Sequence, residues 1–126
     1  MKATRTISWF EIPTAELGRA VTFYQTMLGE SLRPESSPGM EMAVFPYPEG
    51  HTGGALVRDP RRQPGASGAL VYLVCDHRSG GLDGCLERAR AAGAEIILPR
   101  TSIGPNGFIA IVRDSEGNLV GLHVEP

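Results

Sequence analysis

The amino-acid sequence predicts an α+β fold: two βαβββ modules side by side, forming one cupped mixed β-sheet with helices outside. Three observations predict it. The order strand, helix, three strands is read twice along the chain. The stretch 58–68, RDPRRQPGASG, holds two Pro and two Gly without periodicity and separates the repeats near the midpoint. Gly (16) and Pro (10) together make up about a fifth of 126 residues, a composition of many turns and short elements. One domain, 1–126, is therefore expected, with module one at 5–57, the linker at 58–68 and module two at 69–125.

Each element follows from local chemistry. Residues 5–12, RTISWFEI, are rich in β-branched and aromatic side chains and stop at Pro13, as a strand does. Thr14 then reads as a helix N-cap with Glu16 in the first turn. Leu17, Ala20, Val21, Tyr24 and Leu28 recur at helical spacing, and Gly29 ends the run. Apolar segments near 30–34, 40–46 and 53–57, separated by Pro and Gly, read as short strands.

In the second half, 70–75 reads as a strand. The turn Ser79-Gly80-Gly81 leads into a helix with Leu82, Cys85, Leu86 and Ala89 on one face and Gly93 at its end. Strands are expected at 95–98, 108–112 and 119–124, the last two joined by the turn Asp114-Ser115-Glu116-Gly117-Asn118. A βαβββ module has one helix for one sheet face, so the other face is left for a ligand or a partner's helix.

Composition narrows the function. Apolar residues are 41%, charged residues 21% and the formal net charge −2, so no bulk field attracts nucleic acid. The longest apolar run, 69–75, is seven residues, far below the ~20 that span a bilayer. The segment MKATRTISWFEIP has no apolar signal region, and Cys75 and Cys85 match no zinc spacing, so a cytoplasmic protein with free thiols is expected. Neither Gly53-Gly54 nor Gly80-Gly81 sits in a phosphate-loop pattern. No cofactor is expected.

Three segments carry a family resemblance. Thr22-Phe23-Tyr24 with Met27-Leu28-Gly29 is similar to an "FYxxxLG" helix ending, Ala91-Ala92-Gly93 to the end of a second helix, and 114–120 to a "DPDGN" turn. In this order and spacing they resemble the vicinal oxygen chelate superfamily, also called the glyoxalase/bleomycin-resistance/dioxygenase superfamily, along essentially the whole chain. Trp9-Phe10-Glu11-Ile12-Pro13 and the run from Gly107 to His123 further resemble a branch of small proteins of mostly unassigned role. Metal-using members of that superfamily project His and Glu ligands from matching strands. By the motif intervals those positions fall here on Trp9, Ala69 and Gly121, none of which can ligate a divalent cation. The resemblance therefore implies a metal-free binder of the drug-sequestering kind, and a homodimer, as small members commonly form.

The candidate ligand-binding residues are Trp9, Glu11, Met42, His51, Arg100 and His123. Strand periodicity puts Glu11 on the face of Trp9 and His123 on the face of Gly121. Trp9 either stacks on a flat, apolar or aromatic ligand or fills the volume of an absent metal. Glu11 and His123 are the candidate acid–base pair, or a structural pair. Arg100 suits a carboxylate or phosphate, or stands in an exposed loop. Met42, with Met40, suits a greasy pocket, a dimer interface or, by default, the core. The alternative function is an enzyme of lyase, isomerase or dioxygenase type. It would use the Glu11/His123 pair or a displaced metal site of His51, His123 and Glu11, with Glu41 a weaker member. His77 reads as a surface residue.

Overall fold

The structure is a computed structural model that describes residues 6–37, 39–75, 77 and 80–126. Arg5 and Ser79, used above to read a strand end and a turn, lie outside the described residues. In module one, β1 (Trp9–Pro13) leads to α1 (Leu17–Leu28), then β2 (Arg33–Ser37), β3 (Met40–Val44) and β4 (Gly53–Arg58). In module two, β5 (Tyr72–Val74) leads to α2 (Gly81–Ala91), then β6 (Glu95–Ser102), β7 (Phe108–Arg113) and β8 (Leu119–Val124). The two βαβββ units are thus present, with helices outside the sheets.

The eight strands form two mixed four-stranded sheets, in the orders β1-β4-β3-β2 and β5-β8-β7-β6. β1 runs parallel to β4 and β5 parallel to β8, while the remaining pairs are antiparallel. The sheets are not closed into a barrel, and their ladders are separate. At the free edge of β1, Pro13 has no N–H to offer and its carbonyl accepts a bond from the Asn118 side chain (2.9 Å). What joins the modules is a shared core. Phe23, Tyr24 and Met27 of α1 and Leu82, Cys85 and Leu86 of α2 belong to one buried cluster with Leu56, Ala110 and Leu122. A smaller cluster, Val44, Ala55 and Val57 with Met40 and Met42, lies on the opposite face of the first sheet.

Local expectations hold where the signal was periodic. The α2 face of Leu82, Cys85, Leu86 and Ala89 is buried. Gly29 ends α1 in the left-handed region (φ 69°), donating its N–H to Gln25. Thr14 is a correction. The helix N-cap is Glu16, and the Thr14 hydroxyl instead donates to the Val57 carbonyl of β4 (3.0 Å). The α1 cap comes from the other module: Glu116 accepts the N–H groups of Ala15 and Glu16, both at 2.9 Å. The strand read at 30–34 lies at 33–37, because Leu32 is buried ahead of it with its N–H on the Gln25 side chain.

The turn 114–118 is the other clasp between modules. Asp114 Oδ1 accepts the N–H groups of Glu116 (2.8 Å) and Asn118 (2.9 Å). The buried Tyr24 hydroxyl of α1 donates to Asp114 Oδ2 at 2.6 Å. Burial, then the neighbouring Asp114 charge, pushes the Tyr24 phenol well above its ordinary value.

Candidate functional site

The faces that the helices leave bare carry most of the candidates. Trp9 pairs with Gly53, Glu11 with Ala55, and Met42 with Val57. These residues share the face of the smaller apolar cluster. On the second sheet, Tyr72 pairs with Gly121, and Val74 with His123, which faces Ile109.

A matched arrangement stands on the two faces. Tyr47 lies so close over Gly53 that a Cβ there would overlap its ring, and a Cβ at Gly121 would overlap the ring of Tyr72. Trp9 meets Tyr47 edge to face, with centroids 6.0 Å apart. Each parallel strand pair thus opens with an aromatic residue opposite a glycine, Trp9 with Gly53 and Tyr72 with Gly121. By this register Tyr72, not Ala69, occupies the place that matches Trp9. Ala69 instead lines a cavity of about 230 Å³ at the seam, with Glu11, Pro13, Gln63 and Asn118. Tyr47 and Tyr72 were missed by sequence reasoning. The glycines inside β4 and β8 were their available signal.

Glu11 is engaged on both oxygens. Trp9 Nε1 donates to it at 3.2 Å and Arg62 Nη2 at 2.8 Å. Arg62 comes from the segment after β4 and also donates to the Met40 sulfur (3.5 Å). Asp59 holds that segment in place. Its carboxylate accepts the Arg61 N–H two residues on (3.0 Å), Nε and Nη2 of the Arg61 side chain and Arg62 Nε. The Arg61 side chain and backbone, with help from Arg62, keep the Asp59 carboxyl far below its ordinary range. Arg62 was another functional candidate that the sequence reading missed; the Asp-Pro-Arg-Arg turn was its signal.

The remaining candidates are dispersed. His123 Nε2 donates to the Asn106 carbonyl at 2.7 Å, so that nitrogen carries the proton. No hydrogen bond or ion pair among the described residues joins it to Glu11. His51 is exposed in the loop before β4. Arg100 stacks over Phe108, 4.1 Å from the centroid, and approaches Asp83 of α2 at 3.4 Å. With His77 it lines an open cavity of about 420 Å³ beside the start of α2.

The described residues do not fit a metal at these positions. Trp9 and Gly121 offer no donor, and the Tyr72 ring leaves a carboxylate side chain no room at position 121. Among the described residues, no three His, Cys, Asp or Glu side chains group closely enough to hold a metal ion, and so His51, His123 and Glu11 do not converge. No helix among the described residues is long and apolar enough to cross a membrane.

Comparison with known proteins agrees with this fold. Residues 6–122 match the profile of the Glyoxalase/Bleomycin resistance protein/Dioxygenase superfamily. Among solved structures, the chain is similar to TnmS3, an antibiotic binding protein from Streptomyces sp. CB03234 (23% identity, 100% of both chains, TM-score 0.69). It is also similar to a glyoxylase/bleomycin resistance protein/dioxygenase domain from Frankia sp. EAN1pec (17%, 98% of this chain and 100% of that one, TM-score 0.73). A third is the V278E mutant of glyoxalase I from Zea mays (22%, TM-score 0.69), which aligns with 92% of this chain over 44% of its own length. At these identities the likeness is one of fold. A search of curated proteins returns no match.

Proposed function

For this chain, which belongs to the Glyoxalase/Bleomycin resistance protein/Dioxygenase superfamily, we propose metal-free binding of a flat, apolar small molecule on the helix-free faces of the sheets. The observation that carries the reading is the pair of aromatic residues, Trp9 and Tyr72, that stand opposite glycines on the helix-free faces of the two sheets. A ring system stacks on such surfaces without a directional bond. Trp9, braced by Tyr47 and by Glu11, is the stacking platform. Met40 and Met42 supply a wall that adapts to ligand shape. The Glu11–Arg62 pair sets the polarity of one end, and His123 that of the other sheet's face. TnmS3, of the same fold, is described as antibiotic binding, which supports the binding of a small molecule.

The proposal includes a homodimer. Tyr72 is 43% and Val74 76% exposed, apolar surface that a second copy would cover. A cup built from two copies would bring a first-sheet face and a second-sheet face onto one ligand.

The test is fluorescence titration of Trp9, the only tryptophan, with a panel of polycyclic aromatic compounds, alongside sedimentation at micromolar concentration. Saturable quenching is expected for part of the panel. Trp9→Ala, followed by calorimetry, should weaken binding at least ~10-fold, the loss of a stacked aromatic anchor. Glu11→Gln and His123→Ala should change affinity alone, with no turnover of the bound compound to lose. A panel without saturable quenching together with a monomer in the centrifuge would overturn the reading.

A further inference from the structure

The cavity at the seam lies where β1, the segment 63–69 and the start of β8 meet. At about 230 Å³ it is smaller than the roughly 300–1,000 Å³ of a site that encloses a whole drug-sized ligand. It has room for about seven water-sized groups, the bulk of one substituent. Ile12, Val71 and Val120 give it an apolar wall, and Glu11, Gln63 and Ser67 give it polar groups.

The walls are tied together by one side chain. The buried Asn118 accepts the Gly65 N–H on Oδ1 (2.9 Å) and donates through Nδ2 to the Pro13 carbonyl (2.9 Å). The linker, β1 and the turn before β8 are thus held around the cavity, which lowers the cost of ordering them on binding. The polar groups keep bonding capacity. A carboxylate offers about four acceptor positions, and on Glu11 Trp9 Nε1 and Arg62 Nη2 take one each. The Gln63 amide and the Ser67 hydroxyl carry no hydrogen bond among the described residues.

Charge selects the class of group that enters. Glu11 is the only ionisable side chain that lines the cavity, and Arg62 neutralises it at 2.8 Å. A carboxylate or phosphate placed there would face Glu11, and an ammonium would meet the Arg62 charge beside it. A neutral hydroxyl meets neither penalty and finds acceptors and donors. The same Glu11 carboxylate accepts the Trp9 N–H at 3.2 Å, so the Trp9 surface and the cavity meet at one side chain. We infer that the seam cavity is a second subsite, which takes a neutral, hydroxylated branch of the ligand whose ring stacks on Trp9. The inference rests on the binding of an aromatic ring at Trp9.

Calorimetry with four probes tests it. 2-Methylnaphthalene presents the ring alone. 2-Naphthyl β-glucoside, 2-naphthyl phosphate and 2-naphthylmethylamine add a neutral hydroxylated, an anionic and a cationic branch. The glucoside is expected to bind at least ~10-fold tighter than the ring alone, the gain from two or three net hydrogen bonds, and tighter than either charged probe. Ala69→Phe, at an exposed position on the cavity wall and outside the strands, fills the space. It should cut the glucoside's advantage to below ~3-fold and leave 2-methylnaphthalene unchanged. Gln63→Ala, also at an exposed position, keeps the space and should weaken the glucoside alone, by ~3- to 10-fold. If the ring alone binds while the glucoside gains nothing, or keeps its gain in Ala69→Phe, the inference fails and stacking at Trp9 stands. A preference for the phosphate or the amine also overturns it. If no probe binds, or Trp9→Ala leaves the binding of 2-methylnaphthalene unchanged, stacking at Trp9 fails and the inference falls with it.

Discussion

Replacing Glu116 by Gln removes one charge from the clasp that caps α1. The carboxylate accepts two bonds from Arg19 (2.7 and 3.0 Å), two backbone N–H groups from Ala15 and Glu16, and the Ser115 hydroxyl (2.9 Å). Burial works to raise its pKa. The bonds from Arg19, the Glu16 amide, Ser115 and the Ala15 amide outweigh burial and hold it at about 2 against an ordinary 4.5. That difference corresponds to about 3 kcal/mol of folding stability. Arg19 is 49% exposed, and solvent screening of its pair reduces the expectation to about 2 kcal/mol. The group binds its proton more weakly folded than unfolded. Its contribution is therefore complete above about pH 4.5 and lost as pH falls towards about 2. Urea unfolding of wild type and Glu116→Gln measures this directly. The variant should be less stable by about 2 kcal/mol near neutral pH, with more than half of the gap gone by about pH 3. A gap below about 0.5 kcal/mol at neutral pH, or one that stays constant down to about pH 3, would refute the reasoning.

Two further outcomes follow from the packing. Tyr24→Phe deletes the buried 2.6 Å bond to Asp114 and should cost about 2 kcal/mol by urea unfolding, because the carboxylate keeps its burial and loses a donor. Gly121→Ala should cost about 1–2 kcal/mol through overlap with the Tyr72 ring, and most of the loss should vanish in the Tyr72→Ala background. An additive double mutant would show that the ring is not seated on the glycine.

The α2 face, the Gly29 stop and the turn 114–118 were legible in the chain because each is written in spacing of a few residues. The place of Trp9 beside Glu11 was legible for the same reason, since alternation along a strand assigns faces. Thr14 shows the limit. Its type and position are those of a cap, yet its hydroxyl found Val57 across the sheet, and the cap arrived from Glu116, 100 residues away.

The repeat, the helices, the bare sheet faces and the lack of metal donors at Trp9 and Gly121 were thus determined by local pattern and residue type alone. Only the tertiary structure decided that the strands form two sheets, that Arg62 neutralises Glu11, and that Tyr47 and Tyr72 cover glycines. The reason is physical. Periodicity reports which way a side chain faces along its own element, whereas a contact between segments depends on where the chain returns in space, which is set by the packing of the whole core.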